Sequence, residues 1–332
     1  MKKAKKILLI APHYFNYDNI IKTYLEKKGF IVDLINDRPY DSNIFKAIVR
    51  VNRSLIYFFL YFFYKLEILK KHNRNYHLIF VIQGEGLVPS FLGWLRKEYQ
   101  ETPIINYLWD SVANKPKLVD NFPYYDRIIT FDLMDAQRLN LDFYPLFFVP
   151  EFNSFKKTKN IYDLSFIGTL HEDRGLLILS LKKYMPHLNS FIYLYTPSQW
   201  IFYLRRIFTK NFLKIKVSDL HFVKMSHHEV KKILLQSKVV LDLHNINQSG
   251  LTMRTIEALA LNKKIATTNS NIKDYDFYNP HNILILDRHY LNIPPSFFET
   301  PYKQLDKKVI HRYSLEAFYQ NVIKPHLTAK LL

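Results

Sequence analysis

Arg254 and Glu257 stand three residues apart at the head of an apolar run, in Gln248-Ser-Gly-Leu-Thr-Met-Arg254-Thr-Ile-Glu257-Ala-Leu-Ala-Leu. On a helix that spacing sets both side chains on one face. A guanidinium matches phosphate oxygens in bidentate fashion, and a carboxylate is suited to sugar hydroxyls. Ahead lies Lys238-Val-Val-Leu-Asp-Leu-His244, an apolar run of strand length; behind, Asn262-Lys-Lys turns into Ile265-Ala-Thr-Thr-Asn269. Strand, glycine-bearing turn, helix and strand make one βαβ unit. Its helix N-terminus, at the carboxyl end of a strand, offers N–H groups and a positive dipole to an anion. The chemistry these residues fit is the holding of a nucleoside diphosphate. The competing assignment, a solvated surface pair, sits poorly on a helix otherwise built of Leu, Met, Ile and Ala, where unpaired charge is costly.

The same strand-end rule selects further positions. Gly168, Thr169 and Arg174 follow the run Asp163–Ile167 and form a glycine turn with an arginine, a second element of a diphosphate clamp. His244 ends its strand and either meets the base or phosphate or is a hydrogen-bonded core histidine. In the first half of the chain, His13, Glu85 in Gln-Gly-Glu-Gly, and Asp110 in Trp-Asp-Ser are the candidates for a general base that takes a proton from an acceptor hydroxyl. Glu85 has glycine on both sides, which lets a substrate approach; its alternative is a turn carboxylate held by backbone N–H groups. Asp110 has a competing use as the cap of a helix starting at Ser111 or Val112. No metal site is expected: His227-His228-Glu229 has adjacent spacing, which does not bring ligands onto one helix face. The chain also lacks a Gly-x-Gly-x-x-Gly and a P-loop, which weakens dehydrogenase and ATPase readings.

Positioning these residues requires two series of βα units. The first reads Ile7–Ala11 as strand, Asn19–Lys28 as helix capped by Gly29, then Phe30–Ile35, Leu78–Gln83, Pro103–Leu108 and Arg127–Phe131 as strands. A polar, irregular stretch from Val149 to Asn160 serves as a linker. The second series supplies Asp163–Ile167, Phe191–Tyr195, Val239–His244, Ile265–Thr268 and Ile283–Leu286, and Tyr313–Leu327 is expected to be a terminal helix. The predicted fold class is α/β: a Rossmann-like domain over 1–150, a second over 160–312, and a C-terminal helix in 313–332.

The segment 237–270 resembles the donor-binding segment of GT-B glycosyltransferases of the group 1 type, above all the spore-maturation (CgeB-like) and capsule or lipopolysaccharide branches. Elsewhere the likeness is architectural. It implies two doubly wound parallel-sheet domains facing across a cleft, with the last helix packing back toward the first domain. It also implies Glu257 on the donor ribose and Gln248, Ser249, Gly250, Leu251 and Arg254 around the diphosphate, with no metal and no cofactor beyond the nucleotide-sugar donor. Retaining members carry a glutamate eight positions before the ribose-binding one; Ser249 stands there, so retention and inversion both stay open. The activity implied is transfer of a sugar to a cell-surface glycan such as capsule, O-antigen or lipooligosaccharide. The alternatives are another Rossmann-type transferase, such as a methyltransferase, and a basic nucleic-acid-binding protein without catalysis.

Composition bounds these readings. The chain has 332 residues, enough for two cores, and no cysteine, which excludes disulfides and thiolate chemistry. Its net charge of +18 favours anionic partners. The run after the basic N-terminus, Ile7 to Ala11, is too short for a signal-peptide core and reads as a strand. Residues 46–74 hold seven Lys/Arg and one acid around Leu55-Ile-Tyr-Phe-Phe-Leu-Tyr-Phe-Phe-Tyr64. Wound as a helix, they place Lys46, Arg50, Arg53, Tyr57, Tyr61 and Tyr64 in one stripe suited to lipid headgroups. The alternative is a helix buried against its sheet. A second basic-aromatic segment, 200–216, carries Arg205 and Arg206 among five bases and no acid. These features predict a cytoplasmic protein attached peripherally to the inner face of the cell membrane. Its expected partners are a nucleotide sugar, a glycan or lipid-linked acceptor and anionic lipid rather than nucleic acid.

Overall fold

The computed structural model describes residues 4–37, 53–72, 74–156, 158–171 and 173–328. Two compact units result: Met1–Pro145 with Asn247–Gly250 and Glu316–Leu332, and Leu146–Ile246 with Leu251–Leu315.

The first unit is built on six strands, β1 (Lys6–Ala11), β2 (Ile31–Asn36), β3 (Leu78–Ile82), β4 (Ile104–Leu108), β5 (Arg127–Thr130) and β6 (Asp142–Phe143). They pair in the order β2-β1-β3-β4-β5-β6, every pair parallel. Strands β1, β3 and β4 are buried along their whole length, as parallel strands covered on both faces must be. The crossovers include α1 (Tyr17–Lys27), α2 (Arg53–Leu69), α3 (Pro89–Glu98) and α4 (Leu133–Leu139). Gly29, at φ 90°, lets the chain leave α1 and enter β2. The order reverses between β1 and β3, and that switch point is where an open α/β sheet takes its ligand.

The second unit has β7 (Tyr162–Thr169), β8 (Ser190–Tyr195), β9 (Leu220–His221), β10 (Ser237–Asp242), β11 (Lys264–Thr267) and β12 (Ile283–Ile285). Their order is β12-β11-β10-β7-β8-β9, again all parallel. Counted from β7 this is the dinucleotide-fold order, with its switch point between β7 and β10. Its helices include α5 (Arg174–Tyr184), α6 (Gln199–Phe208), α7 (His227–Leu235) and α8 (Met253–Ala260). Ser226 and Glu229 close a capping box on α7, Ser198 caps α6 and Thr252 caps α8, so these three helix starts are set by local side chains.

The α/β reading therefore holds, with two doubly wound parallel sheets. Two details differ from expectation. The short edge strands β6 and β9 carry too few residues to show alternation. The terminal helix is broken into Leu315–Phe318, a π-turn at Tyr319–Ile323 and Pro325–Thr328, because Pro325 lacks the N–H that would continue the ladder.

Candidate functional site

At the switch point of the second unit, β7 delivers Gly168 and Thr169, both half-exposed, followed by His171 and then Asp173 and Arg174. Across from it β10 ends in Asp242, Leu243 and His244. Arg174 donates from Nε to the Leu243 carbonyl at 2.7 Å and from Nη1 to the Thr169 carbonyl at 3.3 Å, tying the two strand ends together. Arg288, just beyond β12, grips Asp173 with two bonds of 2.6 and 2.8 Å and donates to the His244 carbonyl at 3.0 Å. Arg205 of α6 donates to the Leu170 carbonyl at 3.3 Å. Arg205 thus reaches the pocket side of its helix, and Arg206 instead meets the Leu213 carbonyl at 3.0 Å.

The electrostatics of this cluster are lopsided. His171 is driven down to about 3, first by burial and then by Arg174, Arg205 and Arg288, with Asp173 the opposing charge. Burial also lowers His244, helped by Arg288 and Arg174 against Asp242. Asp173 is itself held low by its hydrogen bonds to Arg288. Three guanidiniums, opposed by the carboxylates of Asp173 and Asp242, thus act on two neutral imidazoles, a net positive balance that favours an anion.

A stability dependence follows. For each histidine the folded-state pKa lies below the unfolded value, so the unfolded chain binds the extra proton first. Their contribution is complete above about pH 6.5 and declines as pH falls toward the folded values. Melting temperature measured from pH 7.5 to 5 is expected to drop, and His171→Gln to flatten that drop. A melting curve insensitive to the substitution would remove His171 as the cause.

The second wall of the site is the head of α8. Asp242, 3% exposed, accepts from Thr252 Oγ1 at 2.7 Å, Thr255 Oγ1 at 2.9 Å and Thr267 Oγ1 at 3.0 Å. It holds β10, β11 and the helix cap in one register. One turn on, Arg254 Nη1 donates to Glu257 Oε2, and His227 Nδ1 lies 3.8 Å from the other carboxylate oxygen. Glu257 is buried, and the buried Arg254 Nε has no acceptor among the described residues. The surface-pair assignment fails on that burial. His244 Nδ1 lies 2.8 Å from Thr268 Oγ1, which gives this histidine a local partner at the site edge.

The residues before α8 bond to Asp132 and to one another. Ser249 N–H donates to Asp132 Oδ2 at 2.8 Å, Gly250 N–H to the same oxygen at 3.0 Å, and the Ser249 hydroxyl to Asp132 Oδ1. Asp132 also caps α4 through Met134 and Asp135. These loop donors already hold a carboxylate. Gln248 closes the turn on the Gly250 carbonyl at 3.0 Å, and Leu251 is buried. Four residues that the strand-end search passed over, His171, Asp173, Arg288 and Asp242, carry much of the site. Applying the rule to the ends of β7, β10 and β12 would have found them.

In the first unit His13, Glu85 and Asp110 follow the ends of β1, β3 and β4. Asp37, fully buried after β2, accepts from the Gly84 and Glu85 N–H groups at 3.1 and 3.2 Å. Gln83 and Gly84 both have positive φ, of 62° and 76°, strain that an ordinary strand end does not carry. A Cβ on Gly86 would stand 1.9 Å from the Asp37 carbonyl oxygen, so only glycine fits. Glu85 meets Lys115 Nζ at 2.6 Å on the wall of a cavity of about 390 Å³, lined also by Tyr57, Leu60, Pro89 and Asp120. Asp110 Oδ1 accepts from Ser111 N–H at 3.0 Å and Asn114 Nδ2 at 2.8 Å, shaping a turn rather than capping an α-helix. His13 is exposed and bonds Asp18 at 3.0 Å. Among the described residues no three His, Cys, Asp or Glu side chains cluster as metal ligands would.

Comparison with solved structures shows that the fold is of the GT-B kind. A glycosyltransferase from Rickettsia africae ESF-5 is similar over 98% of this chain and 98% of its own, with a TM-score of 0.57 at 10% identity. Sucrose-phosphate synthase from Thermosynechococcus elongatus matches 95% of this chain and 96% of its own, with a TM-score of 0.58 at 13% identity. UDP-GlcNAc 2-epimerase from Methanocaldococcus jannaschii, solved with UDP-GlcNAc and UDP, covers 85% of this chain and 89% of its own at a TM-score of 0.52 and 11% identity. At such identities the likeness is one of fold. No protein-family model matches the chain, and no curated protein is similar in sequence.

Proposed function

We propose that this protein is a glycosyltransferase that takes a sugar from a nucleoside-diphosphate donor and works without a resident metal. The observation that carries the reading is the side-chain cluster at the switch point of the second unit, where Arg174 and Arg288 act on both His171 and His244 and Arg205 acts on His171. There the arginines and Thr169 would take the diphosphate, and Glu257, steadied by Arg254 and His227, would accept from the ribose hydroxyls. As the bond from the sugar to the diphosphate breaks, negative charge grows on the leaving group, and fixed guanidiniums stabilise that charge most. The Ser249 and Gly250 N–H groups, held by Asp132, then serve to set the loop rather than to touch phosphate.

The acceptor belongs to the first unit, in the cavity bearing Glu85. Glu85 is the favoured base for an inverting transfer, since Asp110 is committed to its turn. The acceptor class proposed is a cell-surface glycan, lipid-linked while it is being built, with the enzyme peripheral to the inner face of the membrane.

Incubation with a panel of nucleotide sugars and detergent-extracted lipid-linked saccharides tests the reading. Release of a nucleoside diphosphate with sugar appearing on the extract supports it, while an epimerised nucleotide sugar would move the protein to the epimerase chemistry that this fold also hosts. Glu85→Gln is expected to leave nucleotide binding unchanged and to lower transfer by at least about 100-fold, in the range reported for removal of a general base. Unchanged transfer would remove Glu85 from the mechanism.

A further inference from the structure

We infer that the outer face of α2 is a docking surface for an anionic lipid bilayer. Attachment of this kind rests on the membrane-peripheral reading above but not on the donor assignment. Residues on a helix step by about 100°. Leu60, Tyr64 and Ile68 therefore share one stripe, which is buried, with the Tyr64 hydroxyl donating to the Asp37 carbonyl at 2.6 Å. The opposite arc holds Phe58, Phe59, Phe62, Leu66 and Leu69, each between 43% and 68% exposed. The Phe58 and Phe62 rings lie 4.6 Å apart, so the arc is continuous. A helix apolar on both faces is normally covered on both.

This corrects the stripe read from the sequence. Tyr64 is buried, Tyr57 lies on the Tyr64 side of the helix, Tyr61 stands between that side and the arc, and phenylalanine leads outward. Lys46 and Arg50 lie outside the described residues, as does the side chain of Arg53.

The rim identifies the occupant. Lys65, set 5.6 Å from the Tyr61 ring and 5.3 Å from that of Trp94, stands beside the arc, and Lys70, Lys71 and Arg74 follow its end. Glu67, the acid of this stretch, is held by Lys70 at 2.7 Å. Phenylalanine and leucine toward acyl chains, tyrosine and lysine at the headgroups, is the composition of an interfacial helix. A second copy of the chain would set this basic rim against itself, whereas anionic headgroups neutralise it. No helix among the described residues is long and apolar enough to cross a membrane, so the face lies on the surface. Tyr57 and Leu60, on the Tyr64 side of α2 and away from the arc, line the cavity that holds Glu85 and Lys115.

Co-sedimentation with phosphatidylcholine vesicles, with and without phosphatidylglycerol, tests this in the absence of any nucleotide. The protein is expected to partition onto the anionic vesicles and hardly onto neutral ones. The variant F58S/F62S, changed only at exposed positions, is expected to lose at least about tenfold in partitioning while keeping its melting temperature. Absence of binding to anionic vesicles would overturn the inference. So would equal binding by the variant, or a concentration-dependent dimer that the variant abolishes. Vesicle binding by a protein that no nucleoside diphosphate stabilises would support attachment and overturn the donor assignment alone.

Discussion

Glu257→Ala is expected to weaken nucleoside-diphosphate binding by about 100-fold. The carboxylate is buried one turn into α8, with Arg254 and His227 on its two oxygens, which fixes its rotamer before any ligand arrives. Hydrogen bonds from ribose hydroxyls to a charged acceptor contribute about 1.5–3 kcal/mol each, and about 3 kcal/mol corresponds to roughly 100-fold in dissociation constant. Alanine also leaves the Arg254 guanidinium without its partner, and its Nε already lacks one among the described residues. Glu257→Gln keeps an acceptor in place and is expected to retain part of the affinity, with a loss of about tenfold. Calorimetric titration of the three proteins reads this directly. Equal affinities would remove the ribose role and leave Glu257 as a structural partner of Arg254.

The second large effect concerns folding. Asp242→Ala is expected to destabilise the second unit by about 4 kcal/mol, because three threonine hydroxyls lose one buried acceptor. For a unit of this size that amounts to a fall of about 10 °C in melting temperature. Thr252 is both a donor to Asp242 and the cap of α8, so the loss spreads from the carboxylate to the helix start. Asp242→Asn preserves shape and one oxygen and should lose about half as much. Thr252→Ala should lose about 1 kcal/mol, the usual cost of a missing cap. If Asp242→Ala melted within a degree or two of the parent, the carboxylate would not be the hub that the hydrogen bonds describe.

Much of this organisation is legible in the chain. Runs such as Ile7–Ala11 and Leu78–Ile82 are apolar throughout, and full burial in a parallel sheet demands that. The βαβ unit around Arg254 and Glu257 is likewise read from local pattern, since strand, cap and helix all lie within one short segment. The remainder depends on long-range pairing. Nothing near Asp132 in sequence announces that it will hold the N–H groups of Ser249 and Gly250, more than a hundred positions away. Arg205 looks like part of a basic surface helix until its reach to the Leu170 carbonyl is known. The stripe on α2 was displaced for a similar reason. Helical periodicity says which residues share a face, but only the partner decides which face turns inward, and Tyr64 found one in the Asp37 carbonyl.

The most direct test is a melting-temperature panel of UDP, GDP, CMP, dTDP, ADP and S-adenosylmethionine on the purified protein. At about 100 times its dissociation constant a ligand adds about 2.7 kcal/mol, which moves the midpoint by several degrees. The proposed donor site, with its three arginines and Glu257 on the ribose, predicts stabilisation by one nucleoside diphosphate, weakened in Glu257→Ala and persisting at high salt. Stabilisation by S-adenosylmethionine alone would contradict it, as would no shift from any nucleotide together with a salt-sensitive shift from DNA.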